Sequence, residues 1–218
     1  MKTKLVVFDV DGTITDSAKV ITDCVSLALA ELGLEPQTPQ QLKRWVGPPL
    51  SVSFRDYTAI PENDIDNAIA TYRSYYADRM LDAPLFPGIR NVLQQLQQAG
   101  MPMAVATSKI ERMATPILEH HDIAKHFQHI AGSREDEPNQ TKASVIADAL
   151  SRMRADGYDT EGAIMIGDRI HDVEGAHENN MPTIGILWSG TDKSEFETAC
   201  CTAKTPADLL HLLEFDAS

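Results

Sequence analysis

The feature that most constrains the fold is an apolar run near the N-terminus that ends in two acidic residues. Residues 5–8, Leu-Val-Val-Phe, are all apolar, which predicts a strand buried on both faces, as in the centre of a parallel sheet. Asp9 and Asp11 follow it, and residues two apart on an extended chain point the same way. Two buried carboxylates in one crevice repel each other unless a cation or a shared proton relieves the repulsion. The pattern therefore predicts a functional site at the end of this strand.

The stretch 9–13, Asp-Val-Asp-Gly-Thr, resembles the signature of the haloacid dehalogenase-like phosphatases. The resemblance implies that Asp9 is the nucleophile, that Asp11 is the general acid and base, and that Gly12 and Thr13 help to bind substrate. The second acid is informative, because an alkoxide leaving group needs a proton whereas a halide does not. The alternative is that both acids only close a strand and a turn, where Asp is common.

Length, charge and cysteine content limit the classes of protein. The chain has 218 residues, which suits one domain or one domain with an insertion. A formal net charge of −13 disfavours nucleic-acid and anionic membrane partners. The sequence has no run of eighteen apolar residues and no basic segment leading into an apolar one, so neither membrane insertion nor export is expected. Its three cysteines, two of them adjacent, argue against a disulfide framework and fit a reducing compartment. The expected location is therefore the cytoplasm.

The region after the first strand is predicted to be a helical insert. Apolar residues recur at helical spacing over 17–34, and further helices are predicted from Thr38 to Gly47 and over 65–81. The insert looks like the small alpha-helical cap of the same family, which closes over the site and selects the substrate. Its tyrosines are expected in the cap core rather than against substrate: Tyr72, Tyr75 and Tyr76. The predicted division is a core of residues 1–15 and 85–218 and a cap of residues 16–84.

A basic pair, Lys43 and Arg44, lies in the predicted cap just before a stiff Gly-Pro-Pro bend. In similar enzymes this loop leans into the site, which makes both residues candidates for substrate binding. The alternative is a solvated helix end with cations near its negative pole. Mutases similar to beta-phosphoglucomutase carry an arginine just after the matching glycine, where this chain has Pro48, and this weakens a mutase function.

Two further motifs follow in the order of that family. A predicted strand over 103–106 leads into Thr107, Ser108 and Lys109, at the end of a parallel strand where ligands bind. This triplet resembles the second motif, which implies that Thr107 binds phosphate with its two neighbours beside it. Lys142 looks like the third motif and would compensate the charge of the nucleophile. The alternative is an ordinary surface lysine.

The last motif is a buried strand over 163–166 that leads into Gly-Asp, with a second Asp four residues on. It resembles the fourth motif, which implies that Asp168 binds Mg²⁺ and that Asp172 is a further ligand, direct or through water. Asp9 and the backbone carbonyl of Asp11 complete the implied metal site. Hard oxygen ligands and a phosphate partner suit Mg²⁺ rather than zinc.

The sequence thus predicts an α/β protein, with a Rossmann-like doubly wound parallel sheet and a small all-helical cap. The function implied is that of a Mg²⁺-dependent phosphatase of small phosphorylated metabolites, such as phosphoglycolate or nucleotide monoesters, acting through an aspartyl-phosphate. A phosphomutase, a pyrophosphatase and a non-enzymatic phospho-aspartate signalling module are the alternatives. The last is disfavoured by the second Asp and the helical insert. The expected assembly is a monomer or homodimer, and an acidic stretch over 133–140 is expected to be a solvent loop.

Overall fold

The computed structural model describes residues 3–134 and 140–213. Residues 135–139 of the predicted solvent loop therefore lie outside the described part of the chain. Across the two described ranges, the helices are all too short or too polar to cross a membrane.

In the described ranges, six strands form one sheet in the order β3-β2-β1-β4-β5-β6, and every neighbouring pair is parallel. The strands are β1 (Leu5–Phe8), β2 (Met103–Ile110), β3 (His129–Ser133), β4 (Ala163–Gly167), β5 (Thr183–Ile186) and β6 (Cys201–Ala203). The helices are α1 (Ala18–Glu31), α2 (Pro39–Leu42), α3 (Leu50–Tyr57), α4 (Ile65–Ala77), α5 (Ile89–Gln98), α6 (Glu111–His120), α7 (Lys142–Ala155), α8 (Ile170–Glu178) and α9 (Pro206–Leu212). Short 3-10 turns also occur, at Lys43–Trp45, Glu62–Asp64, Met80–Asp82, Ala124–His126 and Lys193–Phe196.

The apolar run of β1 lies at the centre of the sheet and is buried on both faces. Val6 and Phe8 pack with α5 and α9 on one face, and Leu5 and Val7 pack with α7 on the other. Side chains alternate along a strand, so an uninterrupted apolar run is what such a two-sided position requires. The predicted fold class, a doubly wound parallel α/β sheet, is confirmed.

Helices α1 to α4 pack around an apolar cluster of their own, beside the sheet. Trp45 lies at its centre, with the ring of Phe54 edge-on at 4.8 Å. The cluster meets the core through Ile110 and two residues of α6, Met113 and Ile117. The helical nature of this region follows its apolar periodicity, while the exact cap boundaries, 16–84, stay a prediction.

Two elements were not expected from the sequence. Helix α3 follows a Pro-Pro pair and contains serines and a valine, all weak helix formers, so its formation depends on burial of Phe54 rather than on local propensity. Strand β6 has three residues and lies at the sheet edge, too short to give an apolar pattern.

The two chain segments that join the insert to the sheet run side by side. The N–H of Asp16 donates to the carbonyl of Pro84 at 2.8 Å, and the N–H of Phe86 donates to the carbonyl of Ile14 at 3.0 Å. This two-stranded connection begins a few residues after Asp11, so it places the insert directly above the end of β1.

Candidate active site

Side chains from separate parts of the chain meet at the carboxyl edge of the sheet. Asp9 follows β1, Thr107 lies in β2, Asp168 follows β4, and Lys142 begins α7. Because all the strands are parallel, their carboxyl ends share one edge, which is where open α/β sheets bind ligands. Residues far apart in sequence are thereby brought into one crevice.

Lys142 is the cation at the centre of an acidic cluster. Its Nζ lies 2.6 Å from Oδ1 of Asp9 and 2.7 Å from Oδ1 of Asp172. Carboxylate oxygens of Asp9, Asp168 and Asp172 all lie within 4.8 Å of one another, and all three residues are buried. One lysine therefore faces three carboxylates, which leaves the cluster with excess negative charge.

Burial makes this excess charge unfavourable. It raises the pKa of Asp9 to about 6, against the opposing charge of Lys142. Burial also raises the pKa of Asp168 well above its ordinary value, and the neighbouring charges of Asp172 and Asp9 raise it further. For Lys142, burial alone would lower the pKa, but the carboxylates of Asp172 and Asp9 bring it above the ordinary value.

The cluster fits a hard divalent cation. Among the described residues of the cluster, Oδ1 of Asp168 is buried and has no hydrogen-bond partner. Unpaired buried carboxylate oxygens are expensive, and oxygen donors are what Mg²⁺ prefers. A divalent cation would supply the missing positive charge. The buried acidic cluster supports a metal site, and the identity of the metal belongs to the proposal below.

Gly12 is a spacer for this cluster. Its φ is +80°, and a Cβ placed there would lie 2.1 Å from Oδ2 of Asp168. A side chain would therefore displace the carboxylate, and the backbone angle itself favours glycine. Thr13 beside it is fully buried, and its carbonyl accepts a hydrogen bond from Nε1 of Trp188 at 3.1 Å. These two residues pack under the site, and their predicted contact with substrate stays a prediction.

Above the acids lies a cavity of about 650 Å³. Asp9 and Asp11 line it, together with Thr107, Ser108 and Lys109. The Oγ1 of Thr107 accepts a hydrogen bond from the N–H of Lys109 at 3.3 Å, which fixes the turn of the chain at this point. The predicted nucleophile, acid and phosphate-binding triplet therefore face one space.

Lys109 links the floor of the cavity to the insert. Its Nζ lies 2.9 Å from Oδ2 of Asp11 and donates to the hydroxyl of Tyr76 at 2.6 Å. Tyr76 is in turn stacked on Tyr72, with ring centroids 5.6 Å apart. Both tyrosines are buried, as expected for the cap core, and both also line the cavity.

The basic pair of the insert lies elsewhere. Lys43 and Arg44 are exposed, and the guanidinium of Arg44 stacks over the ring of Tyr57 at 4.7 Å. Within the described residues, the arginines at the cavity wall are instead Arg73 of α4, Arg112 of α6 and Arg134 after β3. The predicted contact of Lys43 and Arg44 with substrate stays a prediction.

Sequence reasoning did not single out Arg73, Arg112 or Arg169. A lone arginine on a helix gives no local signal of the direction in which it points. The only signal in the sequence was closeness to a predicted motif. Arg112 follows the Thr-Ser-Lys triplet by three residues, and Arg169 follows Asp168 directly.

With this geometry established, comparisons with known proteins identify the family. The profile of the haloacid dehalogenase-like hydrolase family matches residues 6–186. The chain belongs to this family of hydrolases, and the predicted family is confirmed.

Relatives in the family carry several names. Tyrosine-protein kinase PtkA of Mycobacterium tuberculosis is 38% identical over 88% of this chain, which spans only 65% of that protein's length. A 5'-nucleotidase of Pseudomonas aeruginosa is 34% identical, covering 83% of this chain and 81% of its own. A phosphoglycolate phosphatase of Agrobacterium fabrum is 31% identical, covering 86% and 82%. The last two names support the predicted phosphatase class, and the last supports its phosphoglycolate phosphatase-like subgroup.

A solved structure agrees over the whole length. The crystal structure of a predicted phosphatase from Clostridium acetobutylicum is 35% identical, with a TM-score of 0.88, and the match covers 99% of this chain and 100% of that one. The sheet and the helical insert described above are therefore shared with a solved relative.

Proposed function

We propose that the protein is a Mg²⁺-dependent phosphatase of small phosphorylated metabolites, acting through an aspartyl-phosphate at Asp9. The observation that carries this proposal is the pair of acids at the cavity floor, each held by its own lysine. Asp9 contacts Lys142 at 2.6 Å, and Asp11 contacts Lys109 at 2.9 Å. Two carboxylates in distinct surroundings suit two roles, one as nucleophile and one as acid and base.

In the first step, a carboxylate oxygen of Asp9 attacks phosphorus as the bond to the leaving oxygen breaks. With a pKa of about 6, Asp9 is an anion at neutral pH and can attack. Asp11 gives its proton to the leaving oxygen, and Lys109 then stabilises the resulting carboxylate. We expect Thr107 and Lys142 to stabilise the transferring group, where most charge lies on the equatorial oxygens.

In the second step, Asp11 takes a proton from a water molecule that attacks the same phosphorus. This breaks the Asp9–phosphorus bond, releases phosphate and returns both acids to their starting states. Asp9, Asp168, Asp172 and the backbone carbonyl of Asp11 are the residues that would hold Mg²⁺. When bound, the ion would offset the charge of the phosphate and of the nucleophile.

Residues 16–84 are proposed to act as the cap that selects the leaving group. The support is that α3 and α4 supply much of the cavity wall. Phosphoglycolate and nucleoside monophosphates are the leading candidate substrates, because relatives more than 30% identical carry those names. We further propose a cytoplasmic monomer or homodimer that acts on metabolites rather than on nucleic-acid polymers or membranes.

The similarity to a tyrosine-protein kinase favours a second candidate, transfer of a phosphoryl group to tyrosine. The same Asp9 chemistry would serve if a hydroxyl replaced water as the acceptor. A phosphomutase, a pyrophosphatase and a phospho-aspartate signalling module also remain as alternatives.

The test is phosphate release from a panel of compounds, with and without Mg²⁺, using Asp9→Asn as the blank. The panel contains phosphoglycolate, nucleoside monophosphates, pyrophosphate and sugar phosphates, and one further arm follows transfer from ATP to a tyrosine peptide. We expect preferred release from one class of monoester, lost without Mg²⁺ and in the variant. Absence of release from every monoester would overturn the proposal. Sugar-phosphate isomerisation, phosphotyrosine formation or a persistent phospho-aspartate would then identify the alternative.

A further inference from the structure

Arg169 joins the core of the protein to the loop of the insert that leads into the cavity wall. Its Nε donates to Oε2 of Glu195 at 3.0 Å, and its Nη1 donates to the backbone carbonyl of Val46. The N–H of Ile170 donates to the same Glu195 oxygen at 2.9 Å. One guanidinium thus bridges the 3-10 turn Lys193–Phe196, the loop after β4 and the insert.

Close packing accompanies these hydrogen bonds. Gly47 has a φ of +107°, and a Cβ placed there would lie 2.8 Å from Cγ of Arg169 and 3.2 Å from its Nη1. A side chain at position 47 would therefore push the arginine away, and the backbone angle favours glycine as well. The backbone of the loop at Val46 and Gly47 therefore packs directly against the side chain of Arg169.

The segment held by Arg169 continues directly into the cavity wall. Residues 47–51 all line the cavity above Asp9 and Asp11. The position of Val46 relative to the core therefore sets the distance between this wall and the floor.

The ion pair between Arg169 and Glu195 is more shielded than most ion pairs among the residues that the structure describes. The side chains of Arg169 and Glu195 are 19% and 26% exposed, against 45% and 64% for the Arg55–Glu62 pair of the insert. Exposed ion pairs contribute little to stability, because screening by water and the loss of side-chain entropy offset their attraction. Shielded charge-assisted hydrogen bonds are stronger. Arginine also suits a two-sided contact, because its rigid fork donates in two directions and a lysine has a single nitrogen.

We propose that Arg169 is a positioning residue that latches the loop 46–51 to the core, with Glu195 orienting its guanidinium. The latch holds the cavity wall in the arrangement that binds substrate, so it acts on affinity and not on phosphoryl transfer. It rests on the proposed function only in that this cavity binds the substrate.

The first measurement is hydrogen–deuterium exchange of the free protein, which needs no activity. Val46, Gly47, Leu50 and Ser51 supply the reporting amides, since prolines have none. Arg169→Ala and Arg169→Lys are expected to exchange faster than wild type over 46–51. The matched control is Arg152→Lys, which weakens another partly exposed Arg–Glu pair, with Glu111 at 2.8 Å, and should leave this segment unchanged.

The second measurement separates KM from kcat for the best monoester of the panel. Losing a charge-assisted hydrogen bond to the loop is expected to raise KM about tenfold, while kcat changes by less than about twofold. Arg169→Lys should resemble Arg169→Ala, because a lysine lacks the separate Nε and Nη1 donors with which the rigid guanidinium reaches Glu195 and Val46 at once. Glu195→Gln, which keeps an acceptor oxygen, should give a smaller rise in KM.

The outcomes decide between explanations. Unchanged exchange over 46–51 in both Arg169 variants would overturn the latch, as would equal acceleration in Arg152→Lys, which would indicate general destabilisation. A fall in kcat at constant KM would overturn it too, by placing Arg169 on the reacting group. If the wild type hydrolyses no compound, the proposed function fails, and the exchange comparison alone decides the latch.

Discussion

The floor and the roof of the cavity are built differently. The floor consists of charged groups held by short ion pairs at the ends of buried strands, with Lys142 between Asp9 and Asp172. The roof comes from the helical insert and is largely apolar and aromatic, with Tyr72 and Tyr76 stacked above Lys109. Under the proposed function, we expect the floor to perform the chemistry common to all substrates and the roof to discriminate between them. Floor variants should therefore lower every activity alike, and roof variants should change their ratio.

The largest effect is expected for Asp168→Asn, which tests the floor. With this proposed metal ligand removed, activity toward every substrate should fall at least about a hundredfold. In wild type, Mg²⁺ at about a hundred times its Kd should raise Tm by roughly 5–10 °C, and this shift should be lost in the variant. Thermal unfolding with and without Mg²⁺, alongside phosphate release, measures both.

Without metal, the same variant should be more stable than wild type. Burial and the charges of Asp172 and Asp9 raise the pKa of Asp168, so its ionised form destabilises the folded protein. The neutral amide of the variant carries no charge and avoids this cost. The control is Asp56→Asn, which makes the same charge change at an exposed site. An unaltered Mg²⁺ shift in Asp168→Asn would remove this residue from the metal site.

A smaller effect is expected for Tyr76→Phe, which tests the contact between floor and roof. The change deletes the hydroxyl that accepts from Lys109 at 2.6 Å and leaves the ring in place. We expect kcat/KM to fall about three- to tenfold. The factor should differ between the two best substrates, because the lost hydrogen bond joins Lys109 to the roof and the contact of Lys109 with Asp11 in the floor is kept.

The matched control for this change is Tyr75→Phe, whose hydroxyl contacts Glu31 away from the cavity. It should leave the ratio of the two kcat/KM values unchanged. If Tyr76→Phe lowered kcat/KM by the same factor for both substrates, Tyr76 would belong functionally to the floor.

The smallest effect is expected for Arg44→Ala. This arginine is exposed and stacks over Tyr57, so its removal should cost less than about 1 kcal/mol of stability and change kcat/KM by less than about twofold. Arg73→Ala at the cavity wall should have the larger effect on KM. The reverse order, measured on the same substrate, would show that the loop of Arg44 moves into the site when substrate binds.

The floor could be predicted from the sequence because its signals are local. An apolar run followed by Asp9 or Asp168 marks a strand end, and parallel strands bring such ends together. The contact of Lys142 with Asp172 could not be predicted, because it depends on how α7 packs against α8.

The roof was less predictable because its side chains are selected by tertiary packing. Lys43 and Arg44 stood out as a pair next to a Gly-Pro-Pro bend, yet both are exposed while their neighbour Trp45 is buried in the apolar cluster. The contacts of Arg169 with Glu195 and Val46 could not be predicted, since a guanidinium can contact partners well away from its own backbone.

The position of β1 in the sheet has a consequence for how the chain folds. This first strand pairs with β2 on one side and β4 on the other, which are separated from it by the whole insert and by most of the chain. Such non-local pairing slows folding, because long loops must close before their contacts form. During synthesis, helices α1 to α4 can assemble from neighbouring sequence while the strand that leads to Asp9 still lacks its partner β4. Asp168 and Asp172 follow β4, so we expect the acidic cluster to form after the insert and only once β4 has paired with β1.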